Sequence, residues 1–140
     1  MTIHIKNKET LIIKEFEFKC SIGKKGIRKN KTEGDFCTPS GKFKIGKLYW
    51  RSDRIDLPET KLPTKKIKKY MGWCNDVKSQ FYNKEININK KFKHEKLYRN
   101  DHKYDLLIPI KYNFKKRIIG KGSCIFLHLT NNYKPTAGCV

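Results

Sequence analysis

Residues 120–130, GKGSCIFLHLT, carry the reading on which the fold turns. Positions 124–129 form a dense apolar run, ended by the polar loop TNNYKPTAG at 130–138, and the run reads as a β-strand. Side chains alternate across a strand, so Ile125, Leu127 and Leu129 face one way and Cys124, Phe126 and His128 the other. Alternating faces of this kind need two layers to bury them.

Working outward, Tyr104 to Tyr112 reads as a second strand. Leu106, Ile108, Ile110 and Tyr112 share one face, and Asp105 and Lys111 the other. Pro109 within it implies an edge position or a bulge, because proline has no N–H for the ladder. Residues 42–49 of KFKIGKLYW form another strand, interrupted at Gly46. At the start of the chain, TIHIK at 2–6 and LIIKEFEFK at 11–19 alternate apolar with polar, and Asn7 to Thr10 turn between them to make a hairpin. Gly23 to Gly41 reads as a long Gly-, Pro- and polar-rich loop, of the kind that is functional or disordered. Residues 51–100 show no clear periodicity, with a short helical turn expected at Lys65 to Tyr70. The expectation is one domain over 1–140, mainly β with few short helices.

Composition narrows the function classes. The chain has 140 residues, Lys+Arg 33 against Asp+Glu 13, and a formal charge of +20. Hydrophobic residues at 37% and aromatics at 12% exclude a disordered polybasic tail. No run of 18 apolar residues occurs, so no membrane span is encoded. The opening MTIHIKNKETL lacks an apolar h-region and is not expected to act as a secretory signal. Only five of the basic residues are Arg, at 28, 51, 54, 99 and 117, which suits sequence-specific nucleic-acid readout poorly. An A/T-rich coding sequence would raise Lys, Ile and Asn together. A basic surface for nucleic acid, anionic lipid or carboxylate-rich wall polymer is the other reading, and charge alone does not choose.

Five cysteines stand at 20, 37, 74, 124 and 139. No C-x-x-C occurs, and His4, His94, His102 and His128 show no ligand spacing with them, so no metal is expected. The pair that can carry chemistry is His128 and Cys139. His128 ends its strand at the sheet rim, and the loop after it is long enough to fold Gly138-Cys139 back toward the imidazole. A Cys–His pair within hydrogen-bond reach makes a thiolate at neutral pH, with fast alkylation expected below pH 7. Gly138 allows unusual φ and close approach of a substrate, and backbone N–H groups there would form an oxyanion hole. On these residues alone, a rim His and a loop Cys are more often structural than catalytic.

GSCIFLHLTNNYKPTAGCV, at 122–140, resembles the active-site segment of the L,D-transpeptidase (YkuD-type) family, in which a strand-borne His precedes a loop ending in Gly-Cys and that Cys is the nucleophile. TEGDFCTPSGKFKIG, at 32–46, resembles the family's upstream Gly-Asp-x-x-Thr-Pro-x-Gly signature. WCNDVKSQFYN and EKLYRNDHKYDLLIPIKYN are similar to further blocks of a compact bacterial branch, so the resemblance runs from about Gly23 to Val140. Two departures are visible. Thr136-Ala137-Gly138-Cys139 stands where much of the family has Ser-His-Gly-Cys, and the spacing of 11 from His128 to Cys139 is shorter than in the commoner branch.

The resemblance implies a β-sandwich of mixed sheets. It implies Cys139 as nucleophile, His128 as general base and acid, the Gly138 backbone in the oxyanion hole, and the Leu129 carbonyl orienting His128, with Thr130 the other candidate. Thr136, Trp73, Asp76 and Tyr82 are the candidate substrate-binding residues. For Trp73, Asp76, Tyr82 and Asn83, core and turn roles compete. Turn formation competes with substrate contact for Asp35, Thr38 and Gly41. Cys124 lies roughly 13 Å from His128 along the strand and is expected in the core. Because the family continues beyond its Cys, the domain is expected to be incomplete at its C-terminus. The implied activity is acyl transfer on peptidoglycan stem peptides through a thioester, without cofactor, by a monomer with no specific nucleic-acid partner, in the periplasm or cell envelope. The competing class is a non-catalytic Lys-rich module that binds nucleic acid or anionic wall polymer.

Overall fold

The computed structural model describes residues 2–140. The described residues form twelve short strands and no helix: β1 (Ile3–Ile5), β2 (Thr10–Ile13), β3 (Phe16–Lys19), β4 (Ile27–Arg28), β5 (Thr38–Pro39), β6 (Leu48–Trp50), β7 (Thr64–Lys66), β8 (Met71–Cys74), β9 (Glu85–Asn87), β10 (His94–Lys96), β11 (Leu106–Pro109) and β12 (Phe126–His128). The fold is all-β, a sandwich of mixed and antiparallel sheets. The few short helices expected from the sequence are absent among the described residues.

The central sheet runs β12-β11-β6-β7, antiparallel except for the parallel β6–β7 pair. On one side lies the three-stranded sheet β10-β8-β9, and on the other the N-terminal meander β1-β2-β3. Two cores follow from this layering. Tyr49, Met71, Trp73, Leu97, Tyr104, Leu107 and Phe126 fill the first. Leu11, Cys20, Ile22 and Val140 fill the second, with Ile3, Ile5, Ile13, Ile110 and Leu127 packed against it. The strand expected at 124–129 shortens to Phe126–His128, with Cys124 at φ 54°, and within it the alternation holds: Phe126 enters one core and Leu127 the other.

The opening hairpin forms as expected, with Ile3 opposite Ile13. The 11–19 run divides at a tight turn in which Lys14 takes φ 54°, so β2 folds back onto β3. Pro109 ends an inner strand, and the sequence device is a bulge. Between the pairings Leu107↔Tyr49 and Ile110↔Ile45, four steps on one side face three on the other. Gly46 N–H donates to the Pro109 carbonyl at 2.7 Å, and a Cβ at Gly46 would meet that oxygen at 3.3 Å. The expected strand at 42–49 shortens to β6 for this reason. Along β11 the deepest residues are Leu107 and Pro109 rather than Leu106 and Ile108. Asp105 is buried against Arg54 at 3.1 Å rather than facing water.

The expected helical turn at Lys65 to Tyr70 gives way to β7. Leu48 N–H donates to the Pro63 carbonyl at 2.9 Å and Ile67 N–H to the Trp50 carbonyl at 2.8 Å, so the segment is an added edge of the central sheet. The long Gly23–Gly41 loop is ordered by the parallel pair β4–β5.

Candidate active site

β12 carries His128 to the sheet rim, where the ring packs edge-on to Tyr104 with centroids 5.1 Å apart. The last residues of the chain run beside β12. Val140 N–H donates to the Phe126 carbonyl at 2.9 Å, and His128 N–H donates to the Val140 carbonyl at 3.0 Å. This is parallel pairing across Leu127, which puts Val140 in the second core and Cys139 in the first, on the His128 face. One residue nearer the loop, the ladder is modified. Phe126 N–H donates to Cys139 Sγ at 3.4 Å, and the thiol donates to the Cys124 carbonyl at 3.2 Å.

Cys139 is only 8% exposed. Burial, slightly opposed by the Phe126 N–H, pushes its pKa up to about 12. The thiol is therefore neutral at pH 7, which overturns the expectation of a thiolate. Its hydrogen-bond partners are Phe126 and Cys124, and the imidazole is not among them.

His128 Nδ1 lies 2.6 Å from the Leu129 carbonyl. A carbonyl only accepts, so Nδ1 carries the proton and Nε2 is left with its lone pair. Desolvation lowers the His128 pKa and keeps the ring neutral; the Leu129 bond opposes this, and the Lys103 and Arg99 cations add smaller contributions in the lowering direction.

Tyr104 packs beside both groups, against His128 and in the core that holds Cys139. Its ring contacts Phe126 and His128, its hydroxyl donates to Glu95 Oε1 at 3.2 Å, and Arg99 stacks over it at 5.0 Å. Arg99 in turn is held by both oxygens of Asp101, at 2.9 and 2.6 Å, and by Glu95 at 3.0 Å. The sequence reading did not single out Tyr104, Glu95, Arg99 or Asp101 for the site. The i, i+4 spacing of Glu95 and Arg99 was the available signal.

The other candidates fall into two groups. Thr136 braces the loop that carries Cys139, donating from Oγ1 to the Cys139 carbonyl at 2.7 Å and accepting from Gly138 N–H at 3.1 Å. Gly138 N–H, assigned to the oxyanion hole from the sequence, thus already has an acceptor. Cys139 N–H has none among the described residues. Trp73 and Tyr82 turn inward. Trp73 Nε1 donates to Asn83 Oδ1 at 2.9 Å, and the Tyr82 hydroxyl bonds Glu33 while accepting from Gly122 N–H at 2.9 Å. Asp76 accepts the backbone N–H groups of Lys78 and Lys93, beside a depression of about 590 Å³ rimmed by Lys78, Lys90, Lys91 and Lys93. Cys124 packs against the first core with its thiol toward the Trp73 carbonyl at 3.7 Å, and burial pushes its pKa well up. All five cysteines are free thiols, and among the described residues no cluster of three or more potential ligands is placed to hold a metal.

His128 thus stands at the end of β12 with its Nδ1 bonded to Leu129, and the Gly138–Cys139 segment folds back along the same strand. The model of the L,D-transpeptidase catalytic domain matches residues 2–140. The chain belongs to the L,D-transpeptidase catalytic-domain family. Comparison with curated proteins and with solved structures returns no match. In this L,D-transpeptidase domain the Cys139 thiol is buried on the His128 face of β12, and the Cys139 N–H has no acceptor among the described residues. No helix among the described residues is long and apolar enough to cross a membrane.

Proposed function

We propose that this domain transfers acyl groups between peptidoglycan stem peptides through a thioester on Cys139. The observation that carries the reading is the His128–Leu129 bond at 2.6 Å, which fixes the tautomer whose Nε2 accepts a proton. Cys139 Sγ attacks the carbonyl of the diamino acid that precedes the terminal D-residue. His128 Nε2 takes the thiol proton as the S–C bond forms, then returns it to the amine as the C–N bond breaks. The thioester is resolved by an amine of a second stem, which makes a cross-link, or by water. Either acceptor yields a proton to His128, and the thiol re-forms.

The donor for the developing oxyanion is the Cys139 N–H rather than that of Gly138, because Gly138 already bonds Thr136 at 3.1 Å. With thiol and imidazole both neutral, the thiol turns from the Cys124 carbonyl toward Nε2, and the proton moves in concert with attack, not beforehand. Incubation with a synthetic tetrapeptide stem followed by intact mass should show one thioester adduct, absent from Cys139→Ala. His128→Gln should slow acylation by about 10²-fold or more. An adduct that survives in Cys139→Ala would refute the assignment.

A further inference from the structure

The Thr38 hydroxyl is almost fully buried and makes two bonds. It accepts from Gly23 N–H at 2.8 Å and donates to the Gly138 carbonyl at 2.9 Å. The second bond joins residues 100 positions apart. It also replaces a ladder bond. In regular parallel pairing, the Gly138 carbonyl would accept Phe126 N–H, yet that N–H goes to Cys139 Sγ at 3.4 Å.

The consequence lies in the peptide unit that follows. The Gly138–Cys139 bond is trans, since the described residues contain no cis peptide. In a trans unit the C=O and N–H point in opposite directions. A carbonyl drawn toward Thr38 therefore aims the Cys139 N–H away from it, and that N–H has no acceptor among the described residues. Gly138 takes φ 142°, and a Cβ there would sit 2.8 Å from the Cys37 carbonyl oxygen, so the Thr38 segment and the nucleophile segment are in direct contact.

We infer that Thr38 is a positioning residue for catalysis: it sets the plane of the Gly138–Cys139 peptide and so aims the oxyanion-stabilising N–H. The inference rests on the acyl-transfer reading above. The Thr38 hydroxyl is committed to Gly23 and Gly138, so its effect is confined to steps in which an oxyanion develops. Alkylation of Cys139 by iodoacetamide develops none, whereas acylation by a stem peptide does. The two reactions on one sulfur therefore separate aiming from folding.

The test compares wild type, Thr38→Val and Thr38→Ser in both reactions. Thr38→Val should lower kcat for acylation by about 10- to 10²-fold, short of the loss seen when an oxyanion donor is removed outright. KM and the Cys139 alkylation rate should stay within about twofold, the ordinary scatter for a group outside the substrate site. Thr38→Ser, which keeps the hydroxyl, should recover most of the rate. Equal acylation in Thr38→Val and wild type overturns the inference. So does a parallel fall of alkylation and acylation, or a Thr38→Ser variant as slow as Thr38→Val, since each marks a packing role. Absence of acylation in wild type removes the enzymatic reading itself and this inference with it.

Discussion

Alkylation of Cys139 should rise steeply with pH and show no plateau below neutrality. In the structure the thiol is enclosed by Phe126, Tyr104 and the Cys124 carbonyl, and burial pushes its pKa up to about 12. An ordinary thiol with pKa about 8.5 is roughly 3% thiolate at pH 7. At a pKa of about 12 the fraction is on the order of 10⁻⁵, a deficit on the order of 10³-fold. The more basic thiolate is the better nucleophile, which restores roughly 40-fold at a Brønsted slope of 0.4–0.5. Cys139 should then react roughly 10²-fold more slowly than a free thiol, before any loss from restricted access. Access scales the rate equally at every pH, so the slope isolates ionisation: about tenfold per pH unit from roughly pH 6 to 9. The assay is iodoacetamide labelling with peptide-level mass spectrometry, which follows each of the five thiols separately. A Cys139 rate that stays flat across that window would mean a thiolate–imidazolium pair, and would refute the neutral-pair description.

Other outcomes test the scaffold around the site. Asp35→Asn leaves the buried Lys31 ammonium, 2.6 Å from the lost carboxylate, without its partner, and should cost about 3–5 kcal/mol in urea unfolding. Burial raises the Asp35 pKa but is outweighed by the Lys31, Thr32 and Cys37 bonds, so the folded value is depressed. That stability is present above the unfolded value of about 3.9 and disappears as pH falls through the lower folded value; the variant should lack this acid-side slope. Asn83→Ala strands Trp73 Nε1, Cys124 N–H and the Tyr112 and Asn113 carbonyls, and should destabilise by at least about 2 kcal/mol, read by the same unfolding curves. Gly138→Ala forces a Cβ to 2.8 Å from the Cys37 carbonyl at φ 142°, and should abolish acylation in the mass assay while costing about 1–3 kcal/mol in the urea midpoint.

How far the sequence could be read depended on how many layers each strand touches. Residues 124–129 were legible because Phe126 and Leu127 enter different cores, so alternation survives as a pattern of apolar residues on both faces. Along 104–112 the same two-sided burial hid which face was deeper, and Leu107 rather than Leu106 reaches the centre. Residues 51–100 stayed opaque because β7, β9 and β10 are three residues each, TKK, EIN and HEK. Such strands are held by the ladder to β6 and β8, and a period cannot show in three residues. At the site, His128 and Cys139 stood out by chemistry and by their place after a strand. Thr38 did not, because Thr-Pro-x-Gly is already explained as a turn and its hydroxyl acts on a residue 100 positions away.

The segment 136–140 that carries Cys139 is ordered almost wholly by contacts with distant parts of the chain. Thr136 N–H donates to the Ile22 carbonyl at 2.9 Å and its carbonyl accepts from Lys24 N–H at 2.9 Å. Thr38 holds Gly138 at 2.9 Å, and β12 holds Val140 at 2.9 and 3.0 Å. Fixing the backbone of residues 136–140 costs about 1–2 kcal/mol each, or roughly 5–10 in all. Those long-range bonds return about 0.5–1.5 kcal/mol apiece. Burial of Val140 in the second core adds about 2 kcal/mol, and Cys139 in the first adds less. The two sides nearly balance, so the segment has little stability of its own and is ordered only when the Gly23–Gly41 loop and β12 are both in place. Local opening of that loop releases Gly138 and Thr136 together, and the N–H of Cys139 loses its aim before the fold is lost. A weakened loop should therefore reduce acylation at denaturant concentrations where the two cores remain intact.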